Sequence, residues 1–204
     1  NIASNTPSVR ALQLHKALVV SDPSGNLAQA RHEAHYAQEV LQKISGTPAD
    51  FLHGASVTVE KLQATLPQVN FLHYAGHGVF DEEHSSRSAL LLANDTRLDV
   101  KDIVALPKVP EIVVLSACET AKNQTAGLSY QLGIAQAFLS AGSSMVLAAK
   151  RPVNDKIGNH LMMKFYNSLD AGHNVDVALQ QAQIETMQRF PDSDWATYRL
   201  ITRN

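Results

Sequence analysis

A recurring pair of signals, a short and almost wholly apolar run followed by a stretch of helical periodicity, constrains this chain more than any other feature. Ala17-Leu18-Val19-Val20 is the first such run, and Ser21-Asp22-Pro23-Ser24-Gly25 stops it as a turn stops a buried strand. Leu27, Ala30, Ala34, Ala37, Leu41 and Ile44 then recur at helical steps, with Asn26 and Gln29 spaced as a capping box. Ser45-Gly46-Thr47-Pro48 ends that helix, Asp50 to His53 reads as a weaker strand, and Val59, Leu62 and Leu66 mark a short helix closing at Pro67. Val69 to Tyr74 is a third strand running into Ala75-Gly76-His77-Gly78, and Ala89 to Ala93 is a fourth before the turn signal Asn94-Asp95. Asp99 and Asp102 open another short helix. Ile112 to Leu115 is the clearest buried strand and ends in Ser116-Ala117-Cys118-Glu119-Thr120. Beyond it come a helix striped by Leu128, Leu132, Ala135, Phe138 and Leu139, a strand over 144–149, helices striped by Ile157, Leu161, Phe165 and Leu169 and by Val175, Leu179, Ala182 and Thr186, and a closing edge strand within 195–201.

Strands alternating with helices imply right-handed βαβ units, and nearly all-apolar strands imply a sheet covered on both faces. The expected fold is therefore α/β, with a mostly parallel central sheet of about six strands between helices. In such sheets functional residues gather at the C-terminal ends of the strands, where this reading puts His77 and Cys118. At 204 residues the chain suits one domain, here 17–204 after a polar lead-in over 1–16. Beginning at Asn1 and not Met, it reads as an excised domain or a processed product.

The charge balance excludes some partners. Seventeen basic against nineteen acidic residues leave a net charge of -2, which gives no general attraction to nucleic acid or an anionic membrane. No apolar run approaches the roughly 18 residues of a membrane span. The single cysteine cannot form an intrachain disulfide, which points to a reducing, cytoplasmic setting.

Alone, Cys118 reads equally as a small buried hydrophobe, and any one of nine histidines as a packing residue. Together they say more. Both follow apolar strands, in the order histidine then cysteine, 41 positions apart. In caspases the histidine lies roughly 50 residues before the cysteine. A thiol nucleophile needs a partner to manage protons, and imidazole suits that role. Gly78, lacking a Cβ, can bring its N–H close to a substrate carbonyl and stabilise an oxyanion; the plainer reading is that Gly76 and Gly78 only turn the chain.

The segments from Phe71 to Gly78 and from Val113 to Ala121 resemble the two signature segments of the CHAT domain family, relatives of caspases and separases. The resemblance extends over about 17–202, through Val19-Val20-Ser21-Asp22-Pro23, Ala30-Arg31-His32-Glu33-Ala34, Leu132 to Gly142, Pro152-Val153-Asn154-Asp155, Met162 to Tyr166, and Trp195 with Tyr198. It implies a caspase-like three-layer sandwich and peptide-bond hydrolysis through a thioester. Cys118 would attack, His77 would protonate the leaving amine, and the N–H groups of Gly78 and Cys118 would form the oxyanion hole. It further implies a protein or peptide substrate, control by a helical-repeat module or activator protein, and no cofactor. Where many members have Leu-Trp before Pro-Val, this chain has Ala149-Lys150-Arg151.

Candidate substrate contacts are Glu119, Asp81, Lys150 and Asp155, each of which also reads as an ordinary solvated or capping residue. His73 and His77, four apart on a strand, are separated by roughly 13 Å and cannot share a metal. Neither a G-x-S-x-G elbow nor a P-loop is present. Two other readings stay open at this point: a catalytically silent interaction module of the same fold, and a doubly wound small-molecule-binding domain in which Cys118 only packs.

Overall fold

The computed structural model describes residues 13–79, 87–119, 132–150 and 153–203. Its strands are β1 (Ala17–Ser21), β2 (Asp50–His53), β3 (Phe71–Val79), β4 (Ala89–Leu91), β5 (Arg97–Asp99), β6 (Ile112–Glu119), β7 (Met145–Ala149) and β8 (Tyr198–Thr202). Its helices are α1 (Ala28–Ser45), α2 (Val59–Thr65), α3 (Val100–Val104), α4 (Leu132–Ala141), α5 (Asp155–Asp170) and α6 (Val175–Arg189). The main sheet runs in the order β2-β1-β3-β6-β7-β8, with β4 and β5 as an antiparallel excursion from the end of β3. The strands from β2 to β7 along this path are parallel, and β8 closes the edge antiparallel to β7. The expected layered α/β fold is the one observed.

Strand alternation builds the two cores. On β3, Leu72 and Tyr74 join one apolar cluster with Leu62 of α2, Ile103 of α3 and Phe138 of α4. Phe71 and Ala75 join the other, with Ala34 and Leu41 of α1, Phe165 of α5 and Ala182 of α6. Neighbouring β6 divides the same way, Val113, Leu115 and Ala117 to the first cluster and Ile112 and Val114 to the second.

Local chemistry marks the joints. Gly46 ends α1 in the left-handed conformation at φ 66°, its N–H donating to the Gln42 carbonyl. Asp99 and Asp102 form a reciprocal capping box on α3, and the Asn154 side chain accepts from the Lys156 N–H at the start of α5. The β5 strand is three residues long, too short to produce a visible alternation in the sequence. Among the described residues no helix is long and apolar enough to cross a membrane.

Candidate active site

The site grows out of the two central strands. β3 and β6 pair in parallel from Phe71 opposite Ile112 to Gly78 opposite Glu119, and in this register His77 is the partner of Cys118. Adjacent strands lie about 4.8 Å apart, so the two backbones meet at neighbouring positions. One expectation is corrected here. His77 does not follow its strand: it is inside β3 and 7% exposed. Cys118 likewise lies within β6. The strands continue past their apolar runs because pairing is a backbone property, and Ala75 and Gly76 opposite Ser116 and Ala117 carry it without large side chains. The side chains of Cys118 and Glu119 lie outside the described part of the structure, as does Asp81.

Nε2 of His77 lies 2.9 Å from Oδ1 of Asn26, in the loop after β1. Nδ1 of His77 is buried and has no hydrogen-bond partner among the described residues. The capping role expected of Asn26 is not observed, since Leu27 occupies the N-cap of α1 and makes no side-chain cap. Asp22 takes over that work. Its carboxylate accepts the N–H groups of Asn26, at 3.1 Å, and Leu27, at 3.0 Å, and pairs with Arg31. Asp22 is itself 1% exposed and held at φ 42°, with its N–H donating to the Ala75 carbonyl of β3.

Beside His77 and Cys118, a cleft of about 450 Å³ including its open mouth is lined by Leu27, Ala30, Glu33, Gly76, Ser116, Asp155, Gly158 and Tyr198, among others. Gly76 and Ser116 contribute from β3 and β6, one and two residues before the histidine and the cysteine. Glu33 is a residue that the motifs did not single out. It is 6% exposed, and burial pushes its carboxyl up to about 8, with the Ser116 hydrogen bond opposing the rise and Asp155 adding to it. Its signal was its place on the apolar stripe of α1, three residues after Ala30 and four before Ala37, where a charge does not belong.

Oε1 of Glu33 lies 3.4 Å from Nε2 of His73, which is fully buried and pushed down to about 3 by desolvation. Near neutral pH both groups are therefore uncharged, and the contact is not an ion pair. His73 is held on its other side by the Tyr166 hydroxyl, 2.9 Å from Nδ1. His73 and His77 thus share a strand and differ in role. The first packs between α1 and α5, while the second meets the loop after β1.

On the opposite face of β3, the Tyr74 hydroxyl lies 2.7 Å from the His77 carbonyl and 2.5 Å from the Leu91 carbonyl of β4, clamping the end of the strand. A Cβ on Gly76 would meet this hydroxyl at 2.7 Å and Pro23 at 2.9 Å. Close approach, and not a turn, is why glycine stands at 76. Gly78 is paired with Glu119 on one side and Leu90 on the other, so it too belongs to the sheet.

Of the remaining candidates, Asp155 lines the cleft from the first turn of α5. Lys150 does not: it lies at the end of β7 over a separate depression bordered by Arg199 and Ile201.

A model of the CHAT domain matches residues 2–203. The chain belongs to the CHAT domain family. The CHAT domain is also similar in structure to the Arg-specific cysteine proteinase gingipain R, with a TM-score of 0.68 at 11% identity over 94% of this chain and 46% of that one. RgpB in its complex of Porphyromonas gingivalis pro- and mature domains gives a TM-score of 0.65 at 10% identity, over 94% and 47%. Separase in the Saccharomyces cerevisiae separase–securin complex gives 0.62 at 16% identity, over 94% and 12%. The chain thus spans under half of the gingipain chains and about an eighth of separase, and what it shares with them is the caspase-like protease fold. A comparison with curated proteins finds no significant match.

Proposed function

We propose that this CHAT domain is a cysteine endopeptidase with Cys118 as nucleophile and His77 as its acid–base partner. The observation that carries the reading is the register that makes these two residues partners at the C-terminal end of the central strand pair, next to a cleft. The sulfur, after giving up its proton to His77, attacks the substrate carbonyl carbon. As the C–N bond breaks, the leaving amine takes a proton from His77 and a thioester remains. Water then attacks the thioester, giving up a proton to His77; the acid departs and the thiol is restored. The N–H groups of Gly78 and Cys118 are the proposed donors to the oxyanion.

The cleft supports a basic side chain beside the scissile bond. Asp155 offers a carboxylate at its wall, and Glu33, uncharged near neutrality, can ionise when a cation arrives. Gingipain R is described as Arg-specific, which agrees with this reading. Control by a protein partner is part of the proposal, and the similar separase is seen in complex with securin. The alternative of a silent interaction module makes the opposite forecast in one experiment. A peptide library is digested by the intact protein and by Cys118→Ala, and the products are read by mass spectrometry. The peptidase reading expects cleavage after Lys or Arg by the intact protein alone; no cleavage by the intact protein together with its partner overturns it.

A further inference from the structure

Two observations about one ring stand unused by the reaction as proposed. Nε2 of His77 is engaged by the Asn26 side chain at 2.9 Å, and Nδ1, though buried, is left without a partner among the described residues. A neutral imidazole carries one proton, and the nitrogen that faces an acceptor keeps it. Oδ1 of Asn26 is an acceptor only, so the tautomer that satisfies this contact carries its proton on Nε2 and its lone pair on Nδ1.

The loop that carries Asn26 is built to hold still. The Asp22 carboxylate grips the N–H groups of Asn26 and Leu27, Arg31 pairs with that carboxylate, and the Asp22 N–H is tied to Ala75, two residues before His77 on the same strand. Asn26 is therefore referenced to the strand whose histidine it meets. An asparagine in such a place has no capping duty to explain it.

We propose that Asn26 is the positioning residue of His77: by accepting the Nε2 proton it fixes the ring and leaves Nδ1 as the nitrogen that exchanges protons with Cys118 and the leaving amine. The kinetic part of this inference rests on the peptidase reading; the protonation part does not. Removing the Asn26 amide leaves the loop intact, since Asp22 binds its backbone and not its side chain. The folded state is thus retained in Asn26→Ala, which thermal melting verifies.

The test is 15N NMR of the histidine rings in the intact protein, in Asn26→Ala and in Asn26→Asp, with turnover of one basic peptide measured in parallel. The expected wild-type spectrum has the His77 ring proton on Nε2 and slow to exchange with water. Asn26→Ala loses that protection, and kcat falls at least about tenfold while KM changes less than about twofold, as for loss of a group that orients a general acid. Asn26→Asp keeps an acceptor and recovers both the protected proton and most of kcat. A His77 ring proton on Nδ1 in the wild type, or ring protons and kcat alike in wild type and Asn26→Ala, overturns the proposal. A wild type that shows the protected Nε2 proton but cleaves nothing even together with its partner overturns the peptidase reading and leaves the positioning role standing on the spectrum.

Discussion

His77 on β3 and Cys118 on β6 are direct partners in the parallel ladder, one strand spacing apart. Their juxtaposition is thus fixed by the same backbone pairing that builds the centre of the sheet. A change of side chain at Cys118 should leave that pairing intact. Cys118→Ala and Cys118→Ser are expected to abolish peptide cleavage while shifting the melting temperature by only a few degrees, because neither removes much volume nor a ladder hydrogen bond. Turnover assays beside thermal melts check this, and cleavage surviving in both variants refutes the mechanism.

The two histidines of β3 should fail in different ways. His77→Ala is expected to lower turnover at least about a hundredfold with modest change in stability, the usual scale for a lost acid–base group. His73→Ala empties a fully buried site and strands the Tyr166 hydroxyl, which should cost on the order of 3 kcal/mol while sparing kcat in the molecules that remain folded. Denaturant melts with active-site titration separate the two effects.

Glu33 gives the fold a pH dependence of defined sign. Its carboxyl titrates near 8 when folded against 4.5 in the free state, so the folded protein holds a proton that the unfolded chain releases. Stability is fully present below about pH 4.5 on this account and declines as pH rises towards 8, by an amount on the order of a few kcal/mol. His73 acts at the acid end: its pKa falls from 6.5 to about 3 on folding, so stability is lost as pH drops below 6.5. Between about pH 4.5 and 6.5 the two opposite slopes offset each other, so the net decline falls between about pH 6.5 and 8; Glu33→Gln is expected to abolish it and to be more stable than the wild type at pH 8, as urea titrations across that range would reveal.

In the cleft, Asp155→Asn should raise KM for substrates with Lys or Arg beside the scissile bond by about tenfold and leave neutral substrates nearly unaffected. Asp155 also sits in the first turn of α5, where losing its charge costs under about 1 kcal/mol, too little to mimic a specificity change. Equal losses on basic and neutral peptides would remove Asp155 from substrate recognition.

Gly76→Ala tests the close approach beneath His77. The added methyl group would lie 2.7 Å from the Tyr74 hydroxyl and 2.9 Å from Pro23, so the clamp must open or the strand must shift, at a cost of about 1–3 kcal/mol. Pairing it with Tyr74→Phe should recover part of that loss, and equal stability of the single and double variants would locate the strain elsewhere.

The layered fold was legible because its strands are dense in branched apolar residues, as at Leu18-Val19-Val20 and Val113-Val114-Leu115, and its helices carry stripes such as Ala34, Ala37 and Leu41. The ends of β3 and β6 were not. Gly76, His77, Ser116 and Ala117 give no apolar signal, and only the neighbouring strand reveals that they are still in the ladder. Asn26 misled because a capping residue and a histidine partner present the same side chain in the sequence. Asp22, which holds the turn, lies four residues earlier and answers to no capping spacing. The burial of Glu33 was readable from its place on the α1 stripe, but its meeting with His73, 40 positions away, was not.

The cleft draws its walls from distant parts of the chain: Leu27 and Glu33 early, Ser116 in the middle, and Tyr198 from the edge strand β8, its hydroxyl 3.5 Å from that of Ser116. During synthesis the histidine and cysteine strands leave the ribosome long before β8 can add itself to β7. A nascent chain halted after residue 150 would hold both His77 and Cys118 but only part of the cleft beside them. Chain order thus puts the β8 wall of the cleft after both central strands, so on the peptidase reading a chain still in synthesis would carry the proposed dyad before its proposed substrate recess is whole.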